Sequence, residues 1–261
     1  MRILKRCYIL LMLLFLYAPI FVLMVFSFNS SRSRGRWGGF TTDWYAALWS
    51  DREIKQALIT TLLIAVISAV VACIAGTAAA LGINSFGKVQ KRAVLAVNNL
   101  PVLNPDIVTG VSLMILFQFF FRIIGGGSMG FVTLLLAHIT FNIPYVILSV
   151  LPKLRQLDKN MYEAALDLGA TAPRAFFKVI LPEISGGIIS GFILAFTLSI
   201  DDFVISFFTT GQGVSNLSIM IYGMARRGIN PKINALSTII FIVVMVLLYL
   251  VNKINKEKDA K

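Results

Sequence analysis

Glu163-Ala164-Ala165, three residues, Gly169, nine residues, then Val179-Ile180-Leu181-Pro182 form the ordered part of a polar stretch running from Lys153 to Glu183. On either side lie apolar segments, Met129 to Leu151 before it and Ile184 to Phe208 after it. Each is long enough to cross ~30 Å of hydrocarbon as a helix, which takes ~20 apolar residues. A polar loop with a fixed pattern between two such segments reads as a cytoplasmic or external connection with a task of its own.

Moving outward, four more apolar stretches appear: Tyr8 to Phe28, Ala57 to Ile83, Ala93 to Phe121 and Ile233 to Val251. The 261 residues are 57% hydrophobic and 14% charged, with a mean hydropathy of +0.83. These values exclude an ordinary soluble domain and define an all-α integral membrane protein of six transmembrane helices in one domain, residues 1–261. The first stretch follows Arg2, Lys5 and Arg6 and has no small-residue cleavage site after it, so it reads as an uncleaved first helix. With the N-terminus inside, 15 of the 24 Lys and Arg residues are cytoplasmic and 9 external, which places both termini in the cytoplasm. The net charge of +12 sits at the membrane flanks, where it suits anionic lipid head groups and not nucleic acid. Cys7 and Cys73 are too far apart in the topology to form a disulfide.

Within the loop, Glu163 to Leu168 reads as a short helix closed by Gly169, and a second short helix begins at Pro173. Two such helices at an angle, with small Ala164 and Ala165 beside acidic Glu163, make a knob that fits a groove in another protein. The external loop from Asn29 to Lys55 carries Phe40-Thr41-Thr42-Asp43-Trp44-Tyr45, the start of a short interfacial helix behind a Thr N-cap. It reads either as an aromatic anchor or as a platform for an external protein. The third apolar segment is interrupted by Pro101 and Asn104-Pro105-Asp106, so a broken helix is expected there, with Asn104 capping the new start.

The pattern Glu163-Ala164-Ala165, Gly169, Leu181-Pro182 resembles the EAA loop of bacterial ABC importer permeases, with Val179 where Ile is usual. The likeness extends over nearly the whole chain and is greatest to the second membrane subunit of the spermidine and putrescine importers. Phe28 to Ser31, Trp37 to Tyr45, Pro105-Asp106-Ile107-Val108, His138-Ile139-Thr140-Phe141 and Phe196 to Asp202 carry it. The resemblance implies a type I ABC importer permease in a bacterial inner membrane, coupled to ATPases through Glu163, Ala164, Ala165, Gly169, Leu181 and Pro182. It further implies a second homologous permease as heterodimer partner, two ATPase subunits that hold ATP and Mg, and an extracytoplasmic polyamine-binding protein. No cofactor or metal is expected on this chain.

Asp106, Asp201 and Asp202 are the acids that fall within apolar segments, where an unpaired carboxylate is costly. On a continuous helix, Ala195, Ser199, Asp202, Ser206 and Thr209 share one polar stripe, while Asp201 lies with Leu194, Thr197, Ile205 and Phe208. Asp202 is therefore expected on the substrate path, with Asp201 paired to a neighbouring helix or near the outer surface. A polyamine carries ammonium groups spaced by methylenes, which suits spaced carboxylates separated by Phe side chains. Asp106 is equally placed to complete a helix start beside Pro105, and the Asp pair to serve as structural ion partners. Tyr222 is a further candidate at the outer gate.

Other motifs fail on chemistry. Gly82 to Lys88 has phosphate-loop spacing, but Val89 stands where a magnesium-binding hydroxyl belongs. His138 is the single histidine and reads as a polar group satisfied between helices. The remaining alternatives are a permease for another cation, a proton-coupled secondary transporter using Asp106 and Asp202, and an intramembrane enzyme using His138.

Overall fold

The computed structural model describes the backbone of residues 2–32, 36–158, 160–227 and 231–259, with side chains between 5 and 246. In chain order the helices are α1 (Arg2–Phe26), α2 (Asp43–Ser50), α3 (Arg52–Ser85), α4 (Lys88–Leu103), α5 (Asp106–Ile124), α6 (Phe131–Gln156), α7 (Asn160–Asp167) and α8 (Ala172–Ala175). A π turn (Phe176–Ile180) leads into α9 (Leu181–Asp201), followed by α10 (Val204–Thr209), α11 (Leu217–Arg227) and α12 (Pro231–Asp259). Among the described residues, extended pairing is limited to one bridge between Asn29 and Phe40.

Among the described residues, five helices are long and apolar enough to cross a membrane: Lys5–Phe26, Arg52–Ser85, Asp106–Ile124, Phe131–Gln156 and Ala172–Asp201. The sixth expected span falls on α12, whose described apolar part, Pro231–Val246, is shorter. The last residues of the expected segment, 247–251, lie beyond the described side chains.

The third apolar segment breaks where expected, between α4 and α5, but for a different local reason. Asn104 ends α4 in an extended conformation, with its N–H donating to the Leu100 carbonyl. Proline excludes the helical region for the residue before it, so Pro105 itself takes the N-cap position and Asp106 opens α5. Asn104 makes no side-chain cap. Similarly, Thr42 takes the N-cap position of α2 without a side-chain bond, while Thr41 Oγ1 accepts the Asp43 N–H at 3.1 Å.

The chain divides into two compact units, Met1–Gln56 with Met220–Lys261, and Ala57–Ile219. In the first, α12 packs against α1 and α2. Its loop is organised by buried Asn29, whose Oδ1 accepts the N–H groups of Gly38 (2.8 Å) and Ser31 (3.1 Å) and whose Nδ2 donates to the Arg36 carbonyl. Phe28 stacks on Phe40, and Trp44 donates to the Asn29 carbonyl.

Asp51 ties this unit together at the start of α3. Its Oδ1 accepts the N–H of Glu53 at 3.2 Å, and its Oδ2 meets Lys232 Nζ of α12 at 2.9 Å. The hydrogen bond from Lys232 holds the carboxyl below its usual range, against a smaller opposing effect of burial. A depressed carboxyl stabilises the fold above the unfolded-state value of about 3.9, and that contribution is lost as pH falls through the folded value. Lys232→Ala is expected to lower stability at pH 7 by about 0.5–1 kcal/mol, with the difference from native vanishing once the pH is below the folded-state value of Asp51. Thermal unfolding in detergent as a function of pH checks both limits.

In the second unit, the core is the contact of α6 with α9 and α3. Gly187, Gly191, Ala195 and Ser199 recur at every fourth residue on the buried face of α9. Such small residues let helix backbones approach closely, which substitutes for the hydrophobic driving force that lipid removes. A Cβ on Gly191 would stand 3.3 Å from Val146 Cα, and one on Gly76 of α3 would stand 2.8 Å from Val146 Cβ. On the far side of the unit α10 packs against α5, where Gly110 faces Phe208 and Ile205.

Candidate substrate route and coupling loop

The continuous helix expected from Ile184 to Phe208 does not form. α9 ends at Asp201, Asp202 is extended at φ −61° and ψ 125°, and α10 starts at Val204. The stripe that set Asp202 in line with Ser199 and Ser206 therefore has no continuous helix beneath it. The carboxylate explains the break: Asp202 Oδ2 accepts the Ser206 N–H and hydroxyl, both at 2.8 Å, and Oδ1 accepts the Ile205 N–H at 3.2 Å. A side chain that satisfies the free N–H groups of a first turn favours starting a new helix there.

The two neighbouring acids have opposite environments. The Asp202 side chain is 7% exposed and lies 3.6 Å from His138 Nε2, whereas Asp201 is exposed at the last turn of α9. Asp106 is also exposed, on the first turn of α5, close enough to Tyr145 of α6 to act on its hydroxyl electrostatically. Tyr145 packs edge-on against Phe141, which seats on Ile205 of α10. Of the two exposed carboxylates, Asp106 is the one set near the aromatic pair, while Asp201 stands at the end of α9. Tyr222 is exposed on α11, in the part of the chain that belongs to the other unit.

Two buried polar clusters run along α6 and were only partly legible in sequence. Around His138, Ser206 Oγ lies 3.0 Å from Nε2 and accepts from Asn216 Nδ2 at 2.7 Å. One turn further along α6, Asn142 Nδ2 donates to Ser199 Oγ (2.8 Å) and Ser68 Oγ (3.2 Å). The readable signal was the four-residue spacing of His138 and Asn142 on an otherwise apolar helix. His138 is a buried group between helices, but satisfied at Nε2 alone, since Nδ1 has no hydrogen-bond partner.

In the polar loop, α7 begins behind Asp158, whose Oδ1 accepts the Asn160 N–H at 3.0 Å. It ends at Gly169, which has φ +85° and lets Ala170 donate back to the Ala165 carbonyl. The second helix is not short: after Thr171 it runs from Ala172 through the π turn to Asp201, so Leu181 and Pro182 lie inside it. Glu163, Ala164 and Gly169 are exposed, Ala165 is half-buried, and Leu168 is 89% exposed.

Residues 72–256 match the family described as "Binding-protein-dependent transport system inner membrane component". The chain belongs to that family. As one of these inner-membrane components it is a multi-pass permease subunit. It is 41% identical to the putrescine transport system permease protein PotI of Escherichia coli (strain K12), over 94% of this chain and 89% of that one. With the spermidine/putrescine transport system permease protein PotC of the same organism it shares 38% identity, over 94% and 90%. A bacterial ABC transporter involved in the import of the acidic polysaccharide alginate has the same fold in its crystal structure. The TM-score is 0.74 at 16% identity, over 98% of this chain and 94% of that one.

Proposed function

We propose that this permease subunit serves an ATP-driven importer of polyamines, taking up spermidine or putrescine by alternating access. The observation that carries the reading is the likeness to PotI and PotC along almost the full length of each chain. The exposed carboxylates Asp106 and Asp201 suit it chemically, since they offer anionic contacts to separated ammonium groups while Phe and Tyr side chains flank the methylenes. Asp202, held by its own helix, serves the route from behind. Tyr222 is retained as a gate residue on the outer side.

The partners follow from the same reading: a second permease, two ATPase subunits carrying ATP and Mg, and an external binding protein. α12 acts as the sixth span and both termini are cytoplasmic. The knob of Glu163, Ala164, Ala165 and Gly169 docks on an ATPase, and the unbroken helix from Ala172 to Asp201, with Leu181 and Pro182 at its base, links that knob to the break at Asp202. Motion at the ATPase thereby reaches the carboxylate end of α9 as a rigid-body displacement.

ATP-dependent uptake of labelled spermidine and putrescine in cells lacking this chain tests the proposal. The native chain is expected to restore uptake. Asp201→Asn, at matched membrane abundance, is expected to raise the half-saturating concentration about tenfold, equivalent to ~1.4 kcal/mol for one charge contact. Failure to restore uptake of either amine with all partner subunits present would refute the substrate.

A further inference from the structure

His138 is 1% exposed, two turns into α6, and makes its hydrogen bond sideways to Ser206, beyond the break that ends α9. The proton inventory decides its form. Ser206 Oγ has one proton and two lone pairs, and the proton goes to Asp202 Oδ2 at 2.8 Å. Asn216 must present its amide nitrogen to Ser206, because its Oδ1 already accepts the Ile219 N–H at 2.9 Å. The remaining lone pair of Ser206 therefore receives a proton from His138 Nε2. The neutral imidazole is the Nε2–H tautomer, which leaves Nδ1 as the buried atom without a partner.

This hub holds three elements through one hydroxyl. Asp202 fixes the first turn of α10, Asn216 fixes the first turn of α11, and His138 fixes both to α6. Thr133 Oγ1 secures the other end of α10 by donating to the Thr209 carbonyl at 2.8 Å. With α10 pinned at both ends and α9 packed on α6 through its glycines, the break at Asp202 has little freedom left. Asp201 is the last residue of α9 and is covalently joined to Asp202, the first member of the hub.

We propose that His138 is a positioning residue for cation transport, orienting Asp201 by locking the Asp202–Ser206–Asn216 hub to α6 through a proton on Nε2. The inference rests on the reading of Asp201 as a substrate contact. It differs from simple structural support, because the requirement is for a donor at one atom of the ring.

The side-chain amides separate the two positions: the terminal nitrogen of Gln reaches the place of Nε2, and that of Asn the place of Nδ1. Uptake is measured on the assembled transporter, normalised to the amount of complex in the membrane, for Asp201→Asn, His138→Phe, His138→Gln and His138→Asn. His138→Phe and His138→Asn are expected to raise KM about tenfold, as Asp201→Asn does, with His138→Gln returning KM to within about threefold of native. If His138→Phe does not assemble, the contrast between Gln and Asn carries the test, with Ser206→Ala expected to match Asn and to add nothing when combined with it. Equal KM values for Gln and Asn, or a fall in maximal rate alone, would overturn the inference while Asp201→Asn still raises KM. An unchanged KM in Asp201→Asn would instead remove the reading on which it rests.

Discussion

Gly187→Leu is expected to destabilise the subunit strongly, lowering its thermal midpoint and its abundance in the membrane. A Cβ at this position would already stand 2.9 Å from the Ser149 carbonyl oxygen and 3.2 Å from Val150 Cα. Both neighbours are backbone of α6, so no rotamer change relieves them. Accommodating a Leu means moving α9 from α6 along the whole stripe of Gly187, Gly191, Ala195 and Ser199. The bonds from Asn142 to Ser199 and Ser68 lie on that same contact and would lengthen with it. Overpacking a tight core typically costs 1–3 kcal/mol, and a clash confined to backbone belongs at or above about 3 kcal/mol. Against total stabilities of roughly 5–15 kcal/mol, that removes a large share of the margin that keeps the subunit folded. Gly186→Leu is the control, because the nearest atom to a Cβ there is the flexible end of Lys153 at 3.9 Å. Membrane abundance and thermal unfolding in detergent should separate the two variants. Equal behaviour would mean that α6 and α9 do not pack this closely.

Asp202→Asn and Asp201→Asn, one residue apart, are expected to fail in different ways. At Asp202 both carboxylate oxygens accept backbone N–H groups, and Oδ2 takes the Ser206 hydroxyl as well. An amide offers one acceptor in place of two, so whichever way it is turned, an NH2 group faces a backbone N–H. A buried donor left in this state costs about 1–3 kcal/mol. Loss of the cap also loosens α10 and, through Ser206, the hold on His138 and Asn216. Asp202→Asn should therefore lower the thermal midpoint and the abundance of the subunit. Asp201→Asn should leave both unchanged and act on KM. If Asp202→Asn keeps the native abundance and thermal midpoint, the cap is dispensable.

Most of the architecture was legible from composition and spacing. Hydrocarbon leaves a spanning backbone no choice but to bond within itself, so apolar length alone predicts helices. The break at Asn104-Pro105-Asp106 and the turn at Gly169 were readable for an equally local reason, because proline and a positive φ constrain the chain residue by residue. The helix beginning near Pro173 is not short as expected, because proline early in a helix is compatible with continuing it, and Val179 to Pro182 lie within the run from Ala172 to Asp201. The break at Asp202 escaped notice because Ile200-Asp201-Asp202-Phe203 contains no Pro or Gly, and a carboxylate becomes a cap only when the N–H groups ahead of it are free.

By itself the sequence determined that this is a helical membrane permease of the binding-protein-dependent family, with a polar loop between two spans and acids within its apolar segments. These properties follow from chain-local chemistry: hydropathy, turn residues and a motif of fixed spacing. The tertiary structure alone decided which of two adjacent aspartates is buried and which is exposed, and that a histidine, a serine and an asparagine from three parts of the chain meet on the buried one. Hydrogen bonding over 68 residues of sequence between His138 and Ser206 depends on how α6, α9 and α10 pack, and no local pattern encodes that distance.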